Sequence, residues 1–275
     1  MRSIAVVAQK GGSLKTTSVV NLAACLAGQG RGGRVLVIDT DTQANATYVL
    51  LRGNPPRRPT LSEVLTGRAS AAEAIVPTAF PGVELIPAEA ALADVNVALA
   101  AEVGRERRLR SALADLPEPF DVCLIDTGPT RSLLTTNVLN FAAEVIVPVG
   151  PGLFGFLGLG QLQADMTQVR RFLENKALTL AGIFLTMTEK NNVCRDFERQ
   201  MREAFGDLVF RATVPRSVKF EEANARQQSI FEHAPRSPGA AAYKALALEV
   251  MNRGERQQED RDDPAHGDPP THDAA

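Results

Sequence analysis

The sequence has no tryptophan, two tyrosines and three cysteines in 275 residues, and each shortage narrows what the protein can be. The cysteines, Cys25, Cys123 and Cys194, form no CxxC pair and no metal-binding spacing, so we expect reduced thiols in a cytoplasmic protein. Because aromatic residues are few, the core must be built mainly from aliphatic side chains, as is typical of parallel strands buried between helices. The net charge of −2 gives no strong basic field that would by itself indicate nucleic-acid binding.

The sequence also lacks an uninterrupted hydrophobic run of the length that a transmembrane helix needs. The one long uncharged stretch, residues 145–164, is broken by Pro148, Pro151 and five glycines, and it predicts a strand, a loop and the start of a helix. The first residues have no signal-peptide pattern. We therefore expect a cytoplasmic protein with no membrane partner.

The chain does contain short apolar runs that alternate with helical patterns. This alternation predicts an α/β fold with a single doubly wound, mostly parallel sheet flanked by helices. We expect the folded domain to span residues 1–252 and residues 253–275 to form a disordered acidic tail, because that segment is polar and has no aromatic residue. The predicted strands are residues 4–8, 35–39, 83–87, 120–126, 144–149, 177–185 and 209–214.

The first predicted strand leads into Gln-Lys-Gly-Gly-Ser-Leu-Lys-Thr-Thr at residues 9–17. A strand, a glycine turn and a helix start together form an anion site, because the N–H groups of the turn converge and the helix dipole adds partial positive charge. Lys15 would contact the β- and γ-phosphates and the Thr16 hydroxyl would contact Mg²⁺. A glycine turn that holds no ligand is the alternative.

Acidic residues follow two further predicted strands. Asp39 and Asp41 lie at the end of strand 35–39, and Asp126 ends strand 120–126 in a Walker-B pattern. Ligands of open parallel sheets bind at the carboxyl ends of the strands, so these carboxylates are candidates to face a cation and water. A lone Asp after a strand is more often a turn or cap residue, which is the alternative for each of them.

The order of these motifs resembles the ParA/MinD family of deviant-Walker ATPases, which are P-loop NTPases, and ParA partition proteins in particular. The turn has the pattern K-G-G-x-x-K-[TS], with the additional Lys10 at its head, and the resemblance covers roughly residues 2–252. It implies ATP and Mg²⁺ as ligands and slow ATP hydrolysis stimulated by a ParB-type partner. It also implies an ATP-bound homodimer that binds DNA without sequence specificity, associated with the nucleoid in plasmid or chromosome partition.

The resemblance implies roles for single residues at the nucleotide. Asp41 would orient the attacking water, and Lys10 would reach across the dimer to the partner's phosphates, so both are catalytic together with Lys15. Pro215 would lie beside the adenine base. The complete nucleotide-binding set would be Lys10, Gly11, Gly12, Ser13, Leu14, Lys15, Thr16, Thr17 and Pro215, and the metal set Thr16, Asp39 and Asp126.

Two lysines match DNA-contacting basic residues of the family by position. Lys219 corresponds to one of them and Lys190 corresponds approximately to another. A solvated surface lysine is the alternative at each position.

The sequence departs from the family pattern at three positions, with Leu14 in place of Gly, Thr42 in place of Pro and Gly128 in place of Pro. Leu14 and Gly128 favour an alternative function, a nucleotide-binding scaffold with little or no hydrolysis. A MinD-like positioning ATPase is another alternative, but it needs a basic amphipathic C-terminal helix, whereas the end of this chain is acidic. The sequence has no paired cysteines that could hold an iron–sulfur cluster, no tyrosine-rich tail and no helix-turn-helix pattern before the first strand. These absences argue against a nitrogenase-iron-protein relative, a tyrosine-kinase relative and an operator-specific repressor.

Overall fold

The computed structural model describes residues 1–8, 11–28, 33–114, 116 and 120–262, with the backbone alone for 153–155 and 255–262. Its strands are β1 (Arg2–Val6), β2 (Val35–Asp39), β3 (Val76–Pro77), β4 (Val83–Ile86), β5 (Val122–Asp126), β6 (Glu144–Val149) and β7 (Thr179–Leu185). They form one sheet in the order β3-β4-β2-β5-β1-β6-β7, in which only the β3–β4 pair is antiparallel. The predicted fold class is confirmed.

Helices connect the strands and cover both faces of the sheet. They are α1 (Lys15–Gly28), α2 (Asn45–Leu50), α3 (Leu61–Leu65), α4 (Ala71–Ala74), α5 (Val95–Ala98), α6 (Arg108–Ala112), α7 (Leu133–Phe141), α8 (Leu153–Phe172), α9 (Asn192–Phe205), α10 (Val218–Ala225), α11 (Ile230–His233) and α12 (Pro238–Asp262). Among the described residues, none of these helices combines the length and the apolar character that crossing a bilayer requires.

Two hydrophobic clusters lie on opposite faces of the sheet, because successive side chains of a strand point to opposite sides. In β1, Ile4 and Val6 belong to the cluster under α1 and α12, whereas Ala5 belongs to the cluster under α7, α8 and α9. All three side chains are fully buried. Burial of each large aliphatic side chain stabilises the fold by about 1.5–3 kcal/mol, so the central strands are firmly held and their ends can carry polar groups.

The predicted strand at 209–214 is wrong. This segment follows β7 through isolated parallel bridges, which pair Val209 with Ile183 and Pro215 with Thr188. A continuous ladder is interrupted because the N–H groups of Arg211 and Ala212 donate to the carboxylate of Glu249 in α12, at 2.9–3.0 Å.

Residues 90–98 form a 3₁₀ helix, Ala90–Asp94, and the short α5. The final helix, α12, continues past residue 252 to Asp262. α12 therefore extends into the segment 253–275, and the division into a folded domain and a disordered tail stays a prediction. The Arg253 guanidinium lies 4.0 Å from the centroid of the Phe210 ring and donates to the carbonyls of Ala181 and Leu208 at 3.2 Å. Residues 263–275 lie outside the described part.

Candidate functional site

The loop between β1 and α1 has the backbone of a glycine turn even where the residue is not glycine. Gly12 has φ 74° and Leu14 has φ 64°, both in the left-handed region. This region costs a residue with a side chain about 1–2 kcal/mol, whereas glycine adopts it freely. Leu14 thus keeps the loop conformation that glycine would give, at an energetic cost. Lys10, the predicted trans-acting lysine, lies outside the described residues.

Lys15 begins α1 and its side chain is almost completely buried. Burial lowers the pKa of its amine, while the nearby carboxylates of Asp126 and Asp41 raise it. Interactions between charges are stronger in such a low-dielectric environment than in water. The amine is therefore positioned among the predicted catalytic and metal residues, as expected for a group that contacts phosphate oxygens.

Asp126 and Thr16 form the part of the site that fits a magnesium ion. The Thr16 hydroxyl donates to Oδ2 of Asp126 at 2.7 Å, whereas the buried Oδ1 has no hydrogen-bond partner among the described residues. Burial raises the pKa of Asp126 well above its usual range, and the neighbouring Asp39 raises it further. A buried carboxylate oxygen without a partner is costly, and a cation would relieve that cost. These two residues could hold Mg²⁺, which when bound would neutralise charge on the β- and γ-phosphates.

No group of three His, Cys, Asp or Glu side chains within the described ranges could hold a metal ion by itself. Magnesium in nucleotide sites takes most of its ligands from phosphate and water, with one or two from the protein. The small protein ligand set agrees with that pattern, and a dedicated protein cage such as a zinc site is not present in the described part.

Asp39 lies opposite Asp126 in the register of β2 and β5. Its Oδ1 accepts from the N–H of Asp41 at 3.1 Å, and its Oδ2 accepts from the N–H and the hydroxyl of Thr47, both at 2.8 Å. Burial raises the pKa of Asp39 to about 6. The carboxylate thus fixes the first turn of α2 and the position of Asp41, and its predicted support of a metal ion stays a prediction.

Asp41 is buried at the edge of the site, between the β2 and β5 ends. Its Oδ1 accepts from the N–H of Gln43 at 3.0 Å. A Cβ placed on Gly128 would lie 3.5 Å from the same oxygen, an ordinary van der Waals distance. The loop after β5 is therefore directly beside Asp41, and crowding by Asp41 does not explain glycine at position 128.

The predicted adenine contact and the two predicted DNA contacts lie on neighbouring segments. The bridge between Thr188 and Pro215 joins the segment that carries Lys190 to the one that carries Lys219. Both lysines are exposed, and Nζ of Lys219 donates to Oε2 of Glu222 at 2.7 Å. Lys219 is thus paired with a carboxylate, and DNA binding by either lysine stays a prediction.

The sequence did not predict the polar contacts between α1 and the C-terminal helices. Thr17, Ser18 and Asn21 are all buried, and each makes a hydrogen bond to the segment that contains α10, α11 and α12. Polar residues at positions 17, 18 and 21 of an otherwise apolar helix were the available signal.

Comparisons with known proteins agree with the motifs. Residues 1–180 match a family model described as an AAA domain. The chromosome partitioning protein ParA of Caulobacter vibrioides is 37% identical over 261 residues, which cover 94% of this chain and 97% of the relative. The chromosome-partitioning ATPase Soj of Thermus thermophilus is 39% identical over 265 residues, which cover 92% and 96%.

A solved structure from Mycobacterium smegmatis, named cobyrinic acid a,c-diamide synthase with bound ADP and magnesium, has a TM-score of 0.79 and 32% identity. It covers 94% of this chain and 96% of its own. The similarity to the two partition proteins extends over more than nine-tenths of this chain. The chain belongs to the ParA/MinD family of P-loop ATPases, and within it to the ParA/Soj-like partition proteins.

Proposed function

We propose that this protein is a partition ATPase that binds ATP with Mg²⁺ and hydrolyses it slowly. The observation that carries the proposal is the convergence of Lys15, Thr16, Asp41 and Asp126 at the carboxyl ends of β1, β2 and β5, with Oδ1 of Asp126 buried and unpartnered within the described part. The names of the partition relatives support it, and so does the bound ADP and magnesium of the Mycobacterium smegmatis neighbour.

Phosphoryl transfer needs charge stabilisation and a positioned nucleophile, with little covalent chemistry from the protein. Lys15 supplies a cation whose effect is strengthened by burial. Since Oδ1 of Asp41 is held by the N–H of Gln43, we assign the orientation of the attacking water to its Oδ2. Asp39 keeps the Asp41 segment in place through Thr47.

The nucleotide would act as a switch. Two ATP-bound subunits would associate face to face, with Lys10 of each subunit reaching the phosphates of the other, and hydrolysis would separate them. The dimer would bind DNA through phosphate contacts that include Lys190 and Lys219, because such contacts need no base sequence. A ParB-type centromere-binding protein would stimulate hydrolysis, and the protein would be found on the nucleoid in the cytoplasm.

The test is a steady-state ATPase assay with Mg²⁺, alone and with duplex DNA and a ParB-type protein. Removal of a residue that orients the nucleophile typically costs about 10²–10⁴-fold in rate, so Asp41→Ala should lower turnover by about 100-fold or more. ATP affinity measured by calorimetry should change little. The exposed Asp94→Asn serves as the matched control and should retain full turnover.

A scaffold that binds ATP without hydrolysis is the second candidate, favoured by the strained Leu14 in the phosphate loop. The absence of turnover in the unaltered protein with Mg²⁺, DNA and partner would establish the scaffold in place of the enzyme. Lys10→Ala tests the dimer switch separately from nucleotide binding. The variant should retain ATP affinity but form no ATP-dependent dimers in light scattering.

A further inference from the structure

Three buried polar residues on one side of α1 connect the phosphate loop to the C-terminal helices. The Thr17 hydroxyl accepts from Nδ2 of Asn224 at 3.3 Å. Asn21 accepts the N–H of Ile230 at 2.7 Å and donates to the carbonyl of Thr17 at 2.7 Å. Buried polar groups are paired in this way because an unpaired one is costly, so these bonds link α10 and α11 directly to α1.

A third connection runs through an aromatic pair. The Ser18 hydroxyl is 3.0 Å from the Tyr243 hydroxyl, and the Tyr243 ring packs edge-on against Phe220 of α10 with centroids 5.6 Å apart. A Cβ on Gly239 would lie 2.6 Å from the Phe220 ring, so α12 leaves this ring no free space. Phe220, the third of the eight residues of α10, is therefore held in place, and displacement of the C-terminal end must tilt the helix about it.

The two ends of α10 carry different functions. Asn224 at its C-terminal end contacts Thr17, the residue after the candidate magnesium ligand Thr16. Lys219 at its N-terminal end is the candidate DNA contact. A helix of eight residues is about 12 Å long and behaves as one rigid unit, so a change at one end is transmitted to the other.

The pairing of Lys219 depends on the same connections. Oε2 of Glu222 accepts from Nζ of Lys219 at 2.7 Å and lies 2.9 Å from Nε2 of His233, whose side chain is 7% exposed. His233 belongs to α11, which is fixed to α1 through the bond between Ile230 and Asn21. When α10 tilts, Glu222 therefore moves with it, whereas His233, the second partner of Glu222, stays with α11.

We propose that Asn224 is a positioning residue that couples the state of the phosphate loop to the DNA contact at Lys219, by tilting α10 when the first turn of α1 rearranges around MgATP. This inference rests on the proposed function and concerns how its two sites communicate. Thr17 lies one residue from Thr16, so a rearrangement around a bound ion changes the bond to Asn224 first. A bond of 3.3 Å at the partly buried edge of the helix is suited to being exchanged.

The experiment uses the full chain, unaltered and with Asn224→Ala. Hydrogen exchange followed by mass spectrometry reports the protection of α10 with and without MgATP, and fluorescence anisotropy reports duplex-DNA affinity with ATP and with ADP. Allosteric couplings are typically 5–150-fold, so we expect the unaltered protein to bind DNA about tenfold or more tightly with ATP than with ADP. In Asn224→Ala this ratio should fall below about threefold, and α10 should no longer respond to MgATP, while ATP affinity is retained.

The exposed Asn54 donates to the Leu51 carbonyl within its own turn, so Asn54→Ala is the matched control and should behave as the unaltered protein. If α10 of Asn224→Ala responds to MgATP as fully as before, the coupling is refuted. If the exchange response depends on Asn224 but the unaltered protein binds no DNA, the DNA part of the proposed function fails while the coupling stands. Loss of folding in Asn224→Ala would be seen by thermal unfolding, and Asn224→Leu, which keeps the side-chain volume but has no donor, then takes its place with the same two criteria.

Discussion

The amino and carboxyl edges of the sheet handle buried charge in opposite ways. At the amino edge, the Arg2 guanidinium makes two hydrogen bonds of 2.6 Å to Glu144 and a third of 2.8 Å to the carbonyl of Val250. At the carboxyl edge, Asp39 and Asp126 are completely buried with raised pKa values, and Oδ1 of Asp126 has no partner within the described part. The protein satisfies its own charges at the amino edge, whereas at the carboxyl edge it leaves one carboxylate oxygen, Oδ1 of Asp126, without a partner in the described part.

The two ends of the same strands therefore differ in role: the amino edge contributes to stability, and the carboxyl edge carries the candidate site. A paired charge such as Glu144 stabilises the fold, and removal of one partner leaves the other buried and uncompensated. A buried carboxylate with one unpartnered oxygen, such as Asp126, costs stability, and a bound cation would relieve that cost.

The first prediction concerns the carboxylate whose Oδ1 has no partner in the described part. Asp126→Asn should lower Mg²⁺-dependent ATP affinity by about 10–100-fold, the usual cost of disturbing a metal site. Without ligand, the variant should be as stable as the original protein or more stable, because the cost of burying a carboxylate is removed. Calorimetry with MgATP and thermal unfolding measure the two quantities. The exposed Asp94→Asn should change neither, and a destabilised Asp126→Asn with unchanged affinity would contradict the division between the edges.

The next effect concerns the paired edge. Glu144→Ala leaves the Arg2 guanidinium partly buried without its bidentate partner and should lower the free energy of unfolding by about 3 kcal/mol. ATP turnover should be unchanged at temperatures where the variant is folded. The control is Glu84→Ala, which breaks a 2.7 Å pair with Arg34 at the same edge. That pair is about one-third exposed, more than the pair of Arg2 and Glu144, so we expect a loss below about 1 kcal/mol in urea unfolding.

A smaller effect tests the strain at Leu14. Leu14→Gly and Leu14→Ala both remove the side chain, but alanine cannot adopt φ 64° freely. The glycine variant should therefore be more stable than the alanine variant by about 1 kcal/mol in urea unfolding. In the middle of α8, the exposed Ala164→Gly should show the opposite sign, with a loss of about 0.5–1 kcal/mol. Equal stability of the two Leu14 variants would mean that the left-handed conformation is not strained in solution.

The strands whose hydrophobic pattern is complete within a few residues were predicted correctly from the sequence. The apolar runs at 35–39 and 144–149 gave the bounds of β2 and β6, because strands buried on both faces are continuous hydrophobic runs. The two residues of β3 were missed because Val76–Pro77 is too short to show any periodicity. Segment 209–214 was wrong because Glu249, distant in sequence, takes two of its N–H groups.

The candidate site likewise contains some contacts that the sequence predicts and others that it does not. The motif residues Lys15, Thr16 and Asp126 come together as predicted, since the carboxyl ends of neighbouring parallel strands share one edge. The capping of Asp39 by Thr47 and the bond between Thr17 and Asn224 were not predicted. These contacts depend on which helix packs against which, and no spacing within either segment encodes the partner.

The smallest expected effect concerns Lys219, whose charge is shared with Glu222. Glu222→Gln removes the competing carboxylate and should raise DNA affinity in the ATP state about two- to fivefold, with a log–log salt slope steeper by about 0.9, the value for one further phosphate contact. Fluorescence anisotropy over a salt series measures both quantities.

The control for this prediction is Glu102→Gln, which breaks an exposed pair with Arg108 of similar length, 2.9 Å. It changes the net charge of the protein by the same amount, so an equal gain in both variants would indicate a general electrostatic effect. A gain confined to Glu222→Gln that disappears when Lys219→Ala is added would assign the phosphate contact to Lys219. A salt slope unchanged by Glu222→Gln would instead mean that Lys219 is a solvated lysine, and the DNA-binding surface would have to be sought on another face.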